Sequence, residues 1–353
     1  MTRQRRPGYS FGQAIPDSIA AQAAARPMTQ VDRMTAKPVL LQLFALPLLP
    51  QAQEKLERHY RVLRLWEADD PDALMLARRD EVDALLASAF TPARAELMDR
   101  LPRLKAICSL GVGYDNIDVA HAHAKGIQVS NTPDVLNDCV ADLTWGLILS
   151  TLRGMGRAER YLRAGQWQNQ LASLPLGHRV TGRKLGIVGL GRVGHAVAQR
   201  AAGFAMPVRY HNRRPRKDVP WEYAASVAEL AAWADVLVVA TVGGPSTRHL
   251  IDRAVLEALG PEGFLVNVAR GSVVDEAALA QALASGAIAG AGLDVFESEP
   301  HVPDTLKNLE NAVLLPHIGS ATLETRQAMV SLVVDNAVAF ASTGRVLTPV
   351  PAG

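Results

Sequence analysis

The sequence predicts an α/β fold with two doubly wound parallel sheets, and three observations support this. Short apolar runs alternate with segments of helical spacing along most of the chain, which is typical of parallel strands covered by helices on both faces. The alternation falls into two blocks, separated by a long helical pattern over about residues 137–164. The chain has 353 residues, which suits two ordinary domains better than one.

The first block contains short apolar runs that predict buried strands. They lie at residues 39–44, 61–65, 82–87, 104–110 and 127–130. Segments with helical spacing separate them, such as 50–60 and 94–100. This order of elements predicts a parallel sheet, because parallel strands need a helical crossover between them.

The second block repeats the same grammar after residue 184. Predicted strands lie at 184–190, 208–212, 235–240, 264–268, 289–295 and 313–317. Predicted helices run to about 204 and over 225–232, 252–258, 275–285 and 322–341. The last helix has no further predicted strand to follow it, since the chain ends in a Pro-containing segment.

Composition excludes several classes of protein. Hydrophobic residues make up 48% and charged residues 20%, which argues against a disordered or fibrous chain. The net charge of +2 gives no electrostatic footprint for nucleic acid. No apolar stretch reaches the roughly 18 residues that a membrane-spanning helix needs. We therefore expect a protein without a nucleic-acid or membrane partner.

The cysteine and histidine content gives no metal or disulfide framework. The chain has 2 cysteines, Cys108 and Cys139, so a reducing, cytoplasmic location is expected. His121 and His123 are two positions apart on a helical segment and face different sides, which makes them a poor metal pair. Residues 1–36 are rich in Ala and Arg and predict a disordered or extended tail.

A glycine-rich turn marks the start of the second block. Gly189, Gly191 and Gly194 follow an apolar run and open a helix, which is the context of a dinucleotide fingerprint. The first glycine permits the tight turn, the second lets a pyrophosphate approach the backbone, and the third allows close packing of helix and strand. The alternative is a glycine-rich turn that binds nothing.

The end of the next predicted strand indicates which dinucleotide binds. An acidic residue there would hold a ribose 2′-hydroxyl, and a basic one would hold a 2′-phosphate. This chain has Asn212 followed by Arg213 and Arg214. Because guanidinium groups pair with phosphate, the sequence predicts NADP (NADPH), with NAD as the alternative cofactor. The two arginines could also form a solvated turn.

Three chemically capable side chains follow apolar runs of the second block. Arg270 follows 264–269, Glu299 comes shortly after 289–296, and His317 ends 313–317. Ligands bind at the carboxyl ends of strands in a doubly wound sheet, so these side chains are expected to converge on one crevice. Each residue also has a purely structural explanation. Arg270 could form a surface ion pair, Glu299 could cap a helix, and His317 could be hydrogen-bonded in a turn.

Several ordered motifs make the chain resemble the D-isomer-specific 2-hydroxyacid dehydrogenase family. They are GVGYDNIDV (111–119), NTPDVLNDCVADLTWGLIL (131–149), GIVGLGRVG (186–194), VNVARGSVVDEAAL (266–279), GLDVFESEP (292–300) and LLPHIGSAT (314–322). Within the family the chain is most similar to glyoxylate and hydroxypyruvate reductases and to the plant hydroxyphenylpyruvate reductases. The likeness extends from about residue 38 to 351.

The resemblance implies roles for the catalytic residues. Arg270 would bind the carboxylate of a small 2-oxoacid substrate, His317 would give a proton to the carbonyl oxygen, and Glu299 would pair with the imidazole. A carboxylate beside a histidine stabilises the imidazolium, so the acid form is expected near neutral pH. Reduction should weaken, and oxidation should gain, as the imidazolium loses its proton at higher pH.

The resemblance also implies the residues that contact substrate and cofactor. The backbone of Val112 and Gly113 would hold the substrate carboxylate, and Ser88, Ala89 and Phe90 would face its side chain, although Phe90 could instead belong to the core. The implied cofactor contacts are Gly189, Gly191, Arg192, Val193, Gly194, Asn212, Arg213, Arg214, Thr241, Thr247, Val268, Ala269, Asp294, His317 and Gly319. The glycines in 241–247 and the thiol of Cys139 depart from the usual pattern of the family.

The implied architecture is a flavodoxin-like substrate domain with an inserted Rossmann cofactor domain. The substrate domain would comprise 37–139 and 321–353, and the cofactor domain 140–320. The helical segment 137–164 has an apolar side that predicts a two-fold homodimer.

Other functions stay open at this point. A phosphoglycerate dehydrogenase is disfavoured because the chain stops at Gly353 without a regulatory domain. A dinucleotide-sensing binding protein, like the corepressors related to this family, would retain the same residues.

Overall fold

The computed structural model describes residues 37–46, 49–169 and 173–351, so the predicted N-terminal tail lies outside the described residues. The described chain forms one five-stranded and one seven-stranded sheet. Every strand pair in both sheets is parallel. The predicted fold class is therefore confirmed: two parallel sheets, each covered by helices.

The first sheet has the strand order β2-β1-β3-β4-β5, which is the order of flavodoxin-like folds. Its strands are β1 (Val39–Gln42), β2 (Arg61–Arg64), β3 (Val82–Ser88), β4 (Ala106–Leu110) and β5 (Gln128–Ser130). The helices between them are α1 (Pro50–His59), α2 (Pro71–Arg78), α3 (Ala95–Asp99) and α4 (Val119–Ala124). Buried apolar side chains form a core on each face of this sheet.

The second sheet has the order β12-β11-β10-β9-β6-β7-β8, in which the direction of winding reverses between β6 and β9 as in a Rossmann fold. Its strands are β6 (Leu185–Val188), β7 (Val208–His211), β8 (Glu222–Tyr223), β9 (Val236–Val239), β10 (Phe264–Asn267), β11 (Gly290–Leu293) and β12 (Ala312–Leu314). The accompanying helices are α7 (Arg192–Arg200), α8 (Val227–Trp233), α9 (Arg253–Leu259), α10 (Glu276–Ser285) and α11 (Asp304–Lys307).

The helical segment between the blocks differs from its prediction, because it is two helices. These are α5 (Asn137–Arg153) and α6 (Met155–Arg163), and Gly154 between them has φ 60°. A residue in the left-handed region ends a helix, and glycine adopts that region at little cost. The apolar side chains of α5, such as Trp145 and Ile148, are buried against the second sheet, so this part of the segment is covered by its own chain.

The prediction missed one strand, and the end of the chain returns to the first sheet. Strand β8 was not predicted, since it has only two residues at the edge of the sheet. The last helix, α12 (Leu323–Thr343), packs with α1 on the first sheet. After it the chain returns to that sheet, where the Val350 N–H donates to the Val129 carbonyl at 2.8 Å. The predicted boundaries at 139/140 and 320/321 stay a prediction.

The described residues include no helix long and apolar enough to cross a membrane. Within the same residues, no group of three or more His, Cys, Asp or Glu side chains could hold a metal ion.

Candidate active site

His317 lies just after β12 in a backbone conformation held from two sides. Its φ is 52°, in the left-handed region, where histidine occurs more often than most residues. The Asp294 carboxylate, just after β11, accepts from the N–H of Ile318 at 2.7 Å and of Gly319 at 2.8 Å. The imidazole Nδ1 lies 2.7 Å from Glu299 Oε2. The ring is therefore fixed at one nitrogen, and within the described residues Nε2 makes no hydrogen bond.

Both carboxylate oxygens of Glu299 are engaged. Oε2 contacts His317, and Oε1 accepts from the Phe296 N–H at 2.9 Å. Burial alone raises the pKa of Glu299, but these hydrogen bonds and the charges of His317 and Arg270 outweigh it, so its pKa lies below the ordinary 4.5. Glu299 is therefore a carboxylate at neutral pH, and it stabilises a charged imidazole beside it.

Asp294 is almost fully buried behind this loop, with 2% of the residue exposed. Burial raises its pKa above the ordinary value, although the two backbone donors oppose the shift. Asp294 was predicted to contact the nicotinamide carboxamide. In this structure each of its oxygens already accepts a backbone hydrogen bond, and the N–H of Gly319 is one of the donors. Its visible role is to hold the His317 loop.

Arg270 follows β10 and reaches across to the first sheet. Its Nε donates to Asp115 Oδ1 at 3.0 Å and its Nη1 donates to the Ala269 carbonyl at 2.8 Å. A Cβ added to Gly113 would lie 1.6 Å from Nη2 of Arg270, so the guanidinium lies directly over that glycine. The structure thus brings Arg270 to the Val112–Gly113 turn after β4.

Phe90, in the loop after β3, meets the second sheet at the same crevice. Its ring lies edge-on to His317 with centroids 5.1 Å apart. Since 59% of Phe90 is exposed, it is not a core residue but part of the crevice wall. Contacts from Phe90 to His317 and from Gly113 to Arg270 therefore place the carboxyl ends of the two sheets against each other.

The glycine-rich turn after β6 has the shape that a dinucleotide requires. Gly189 has φ 97°, and a Cβ there would lie 2.6 Å from the backbone of Thr241. A Cβ on Gly194 would lie 2.2 Å from the Gly189 carbonyl, whereas one on Gly191 would meet nothing within 4 Å. Gly191 is the N-cap of α7, and as a glycine it has no side chain to cap the helix. The open space before the first amides of α7 fits a pyrophosphate.

The residues after β7 divide into two roles. Asn212 Oδ1 accepts from the Leu190 N–H at 2.7 Å and so supports the glycine-rich turn. Arg213 and Arg214 are exposed, and no ion pair engages them within the described residues. Arg216 donates from Nη1 to the Leu190 carbonyl at 3.0 Å and pairs with Asp218. The guanidinium groups of Arg213 and Arg214 are thus available to an anion.

The other predicted cofactor residues, and Cys139, make contacts with distant parts of the chain or within their own loops. Val193 and Val268 pack against the cores of both sheets. The Thr247 hydroxyl donates to the Val242 carbonyl at 2.8 Å and so stabilises its own loop. Arg192 pairs with Asp134 at 2.7 Å. The Cys139 thiol lies 3.5 Å from the Thr322 hydroxyl.

Sequence reasoning missed three charged residues of this region: Asp115, Asp134 and Arg216. Arg216 had a signal, because it follows Arg213 and Arg214 closely in the same basic run. Asp115 and Asp134 had none, since their partners Arg270 and Arg192 lie far along the chain.

Comparisons with known proteins agree with this architecture. The model of the D-isomer specific 2-hydroxyacid dehydrogenase NAD binding domain matches residues 145–319. The chain is 44% identical over 308 residues to a glyoxylate/hydroxypyruvate reductase from Arabidopsis thaliana, covering 87% of this chain and 98% of that one. It is 43% identical to a hydroxyphenylpyruvate reductase from Plectranthus scutellarioides, over 87% of this chain and 98% of the relative.

A solved structure shows the same fold. It is an NADPH-dependent glyoxylate/hydroxypyruvate reductase from Sinorhizobium meliloti in complex with NADP and malonate. It superposes with a TM-score of 0.83 at 45% identity and covers 89% of this chain and 97% of its own. Identity at this level over nearly the full length of each relative, together with the family model, leads to one conclusion: the chain belongs to the D-isomer-specific 2-hydroxyacid dehydrogenase family.

Proposed function

We propose that the protein is an NADPH-preferring oxidoreductase that reduces a small 2-oxoacid, such as glyoxylate or hydroxypyruvate, to the D-2-hydroxy acid. NAD(H) is the alternative cofactor. The observation that carries the proposal is the His317–Glu299 pair, with Nδ1 and Oε2 2.7 Å apart, in a crevice that also holds Arg270. The relatives named as glyoxylate/hydroxypyruvate reductases support the substrate class.

His317 acts as the proton donor. Reduction of a ketone turns the carbonyl oxygen into an alkoxide, and an acid within hydrogen-bond reach lowers the barrier by protonating it. Glu299 occupies Nδ1, so the proton leaves from Nε2. The negative charge of Glu299 stabilises the positive charge that the ring carries when it donates the proton. In the oxidative direction the neutral ring takes the proton from the hydroxyl.

Arg270 and the Val112–Gly113 turn orient the substrate. The Nη2 edge over Gly113 offers a cation for the carboxylate of the 2-oxoacid, and backbone N–H groups in such a turn bind anions. A fixed cation close to the carbonyl also stabilises the charge that develops on its oxygen.

The residues around the glycine-rich turn fit a dinucleotide, which supplies the hydride when bound. The amides at the start of α7 would hold the pyrophosphate, and Arg213 with Arg214 would bind a 2′-phosphate. The exposure of both arginines and the NADP complex of the Sinorhizobium meliloti relative favour NADPH.

We further propose a homodimer. Helix α6 has no buried residue, and the described part of 155–176 exposes several large apolar side chains. They are Met155, Leu162, Trp167 and Leu176. Apolar side chains clustered in one segment are typical of an interface between copies. A cytoplasmic location stays a prediction from the cysteine content.

A steady-state panel tests the proposed function. Glyoxylate, hydroxypyruvate, phenylpyruvate and related 2-oxoacids are each offered with NADPH and with NADH, and oxidation of the cofactor is followed by absorbance. Turnover of at least one 2-oxoacid, faster with NADPH, is expected. Cofactor binding without turnover on any acid of the panel would reject the enzyme and favour a dinucleotide sensor.

A further inference from the structure

Asp115 and Arg270 form an ion pair between the two sheets. Asp115 follows β4, two residues beyond Gly113, whereas Arg270 follows β10. Nε of Arg270 donates to both carboxylate oxygens, at 3.0 and 3.3 Å. Each side chain is 23% exposed. The contact therefore lies inside the crevice and not on the outer surface, where ion pairs contribute little.

Asp115 engages one edge of the guanidinium and leaves another edge open. Nε is bonded to Asp115, and Nη1 is bonded to the Ala269 carbonyl. In the part of the chain that the structure describes, Nη2 makes no hydrogen bond, and it lies over Gly113. The planar group is thus fixed at two nitrogens while the third faces the Val112–Gly113 turn, and an anchored guanidinium loses little further entropy on binding a carboxylate.

Two glycines leave room for this arrangement. A Cβ on Gly113 would overlap the guanidinium, as given above, and one on Gly243 would lie 2.7 Å from Cγ of Arg270 and 3.5 Å from Cγ of Asp115. Gly243 belongs to the loop after β9. The loop therefore contacts the aliphatic part of the Arg270 side chain, while Asp115 holds its guanidinium group.

We propose that Asp115 is a positioning residue, which holds Arg270 by Nε so that Nη2 stays directed at the site of the substrate carboxylate. The proposal rests on the proposed function, because it assigns the carboxylate of a 2-oxoacid to Arg270. In the competing role, Asp115 neutralises Arg270 and must be displaced by substrate. The geometry favours positioning, since Asp115 occupies the Nε edge and not the Nη2 edge.

The test uses Asp115→Ala and Asp115→Asn, with Asp142→Ala as the matched control. Asp142 also pairs with an arginine, Arg200 Nε at 2.8 Å, but on α5 away from the crevice. Binding of oxalate to the protein saturated with NADPH is measured by calorimetry. The Kd for NADPH, the melting temperature, and KM and kcat for glyoxylate are measured beside it.

Asp115→Ala is expected to weaken oxalate binding and raise KM by about tenfold, with a smaller change in kcat, because the charge-assisted anchor of Arg270 is lost. Asp115→Asn should fall between Asp115→Ala and wild type, because its amide oxygen still accepts from Nε. The Kd for NADPH should not change, and Asp142→Ala should match wild type in every binding measurement.

Two results would overturn the positioning role. Unchanged or tighter oxalate binding in Asp115→Ala would show that Asp115 is idle or competes with substrate. If both Asp115 variants bind oxalate and NADPH more weakly and also melt at a lower temperature, Asp115 has a merely structural role. Oxalate binding does not depend on turnover. If oxalate binding is weakened by Asp115→Ala but the wild-type protein reduces no 2-oxoacid, the reductase is rejected and the positioning role is retained.

Discussion

At the scale of single residues, His317 shows how distant parts of the chain set one side chain. Glu299 holds its Nδ1, and Asp294 holds the two amides that follow it. The imidazole is therefore oriented before any substrate binds, which lowers the reorganisation that catalysis requires. Such an arrangement is costly to stability, because Asp294 is a buried carboxylate with a raised pKa.

His317→Ala should lower turnover by about a hundredfold or more while the Kd for NADPH stays nearly unchanged, as expected for the loss of a general acid. Steady-state kinetics and fluorescence titration measure the two quantities. His249→Ala is the matched control, because His249 also has a positive φ, 49°, and also pairs with a glutamate. If His317→Ala and His249→Ala turn over equally well, His317 does not donate the proton.

Glu299 predicts a pH dependence of stability. Its pKa is lower in the folded protein than the ordinary 4.5, so folding favours the carboxylate. This contribution to the free energy of unfolding is fully present above the ordinary pKa and is lost as the pH falls through the folded-state pKa. The difference in unfolding free energy between wild type and Glu299→Gln should therefore shrink as the pH falls below the ordinary pKa of 4.5.

Urea unfolding at a series of pH values measures this difference. Glu310→Gln serves as the control, because Glu310 forms an exposed pair with Arg160 and exposed pairs contribute little. A gap between wild type and Glu299→Gln that is the same at every pH would contradict the assigned shift.

At the scale of elements, the strand ends determine what the protein can bind. The loops after β6, β7 and β9 meet where the winding of the second sheet reverses, and the contact between Gly189 and Thr241 marks that point. Each loop adds a different capability: backbone amides, basic side chains and a support for Arg270. Function therefore depends on short connections, while the buried strands provide their positions.

The loop after β7 predicts the cofactor preference. Replacing Arg213 and Arg214 together by Ala should weaken NADPH binding by about tenfold or more and change NADH binding little, because only NADPH carries the 2′-phosphate. Fluorescence titration with each cofactor measures the two dissociation constants. Lys217→Ala, an exposed basic residue of the same loop, is the control. Equal weakening for both cofactors would remove the phosphate contact from these arginines.

The element-scale predictions from sequence succeeded where a pattern is local. The apolar runs located eleven of the strands of the two sheets, because buried parallel strands are continuous apolar segments. Strand β8 was not predicted, because two residues are too few to show a periodic pattern. The break between the two helices at Gly154 was not predicted either, because the helical spacing of apolar residues continues on both sides of it. The helix ends there only because Gly154 adopts the left-handed conformation.

At the scale of the whole molecule, the proposed homodimer depends on the apolar surface that folding leaves exposed. The long apolar helix that first predicted a dimer is largely buried within its own chain, so that argument fails for α5. In the described part of the segment between the two blocks, the exposed large apolar residues lie beyond Gly154, on α6 and after it. The predicted homodimer keeps its support from this different segment.

Replacing Leu162 and Trp167 together by Asp should yield a monomer of about 37.9 kDa, because charges in an apolar interface remain unpaired. Light scattering after size exclusion measures the mass, and wild type should give twice that value. Trp66→Asp with Leu76→Asp is the matched control, since it replaces an exposed Trp and an exposed Leu in the first-sheet half of the chain. A monomeric wild type would reject the dimer.

The sequence by itself determined the fold class, the dinucleotide turn and the family, because each depends on local order: apolar runs, glycine spacing and motifs of a few residues. Only the tertiary structure decided which charged groups meet between the two sheets. Asp115 and Arg270 are 155 positions apart, and Asp134 pairs with Arg192; in each pair one residue follows a strand of the first sheet and the other follows a strand of the second sheet. Pairs of this kind depend on how two sheets pack against each other, and the distance between two side chains in space leaves no periodic trace along the chain.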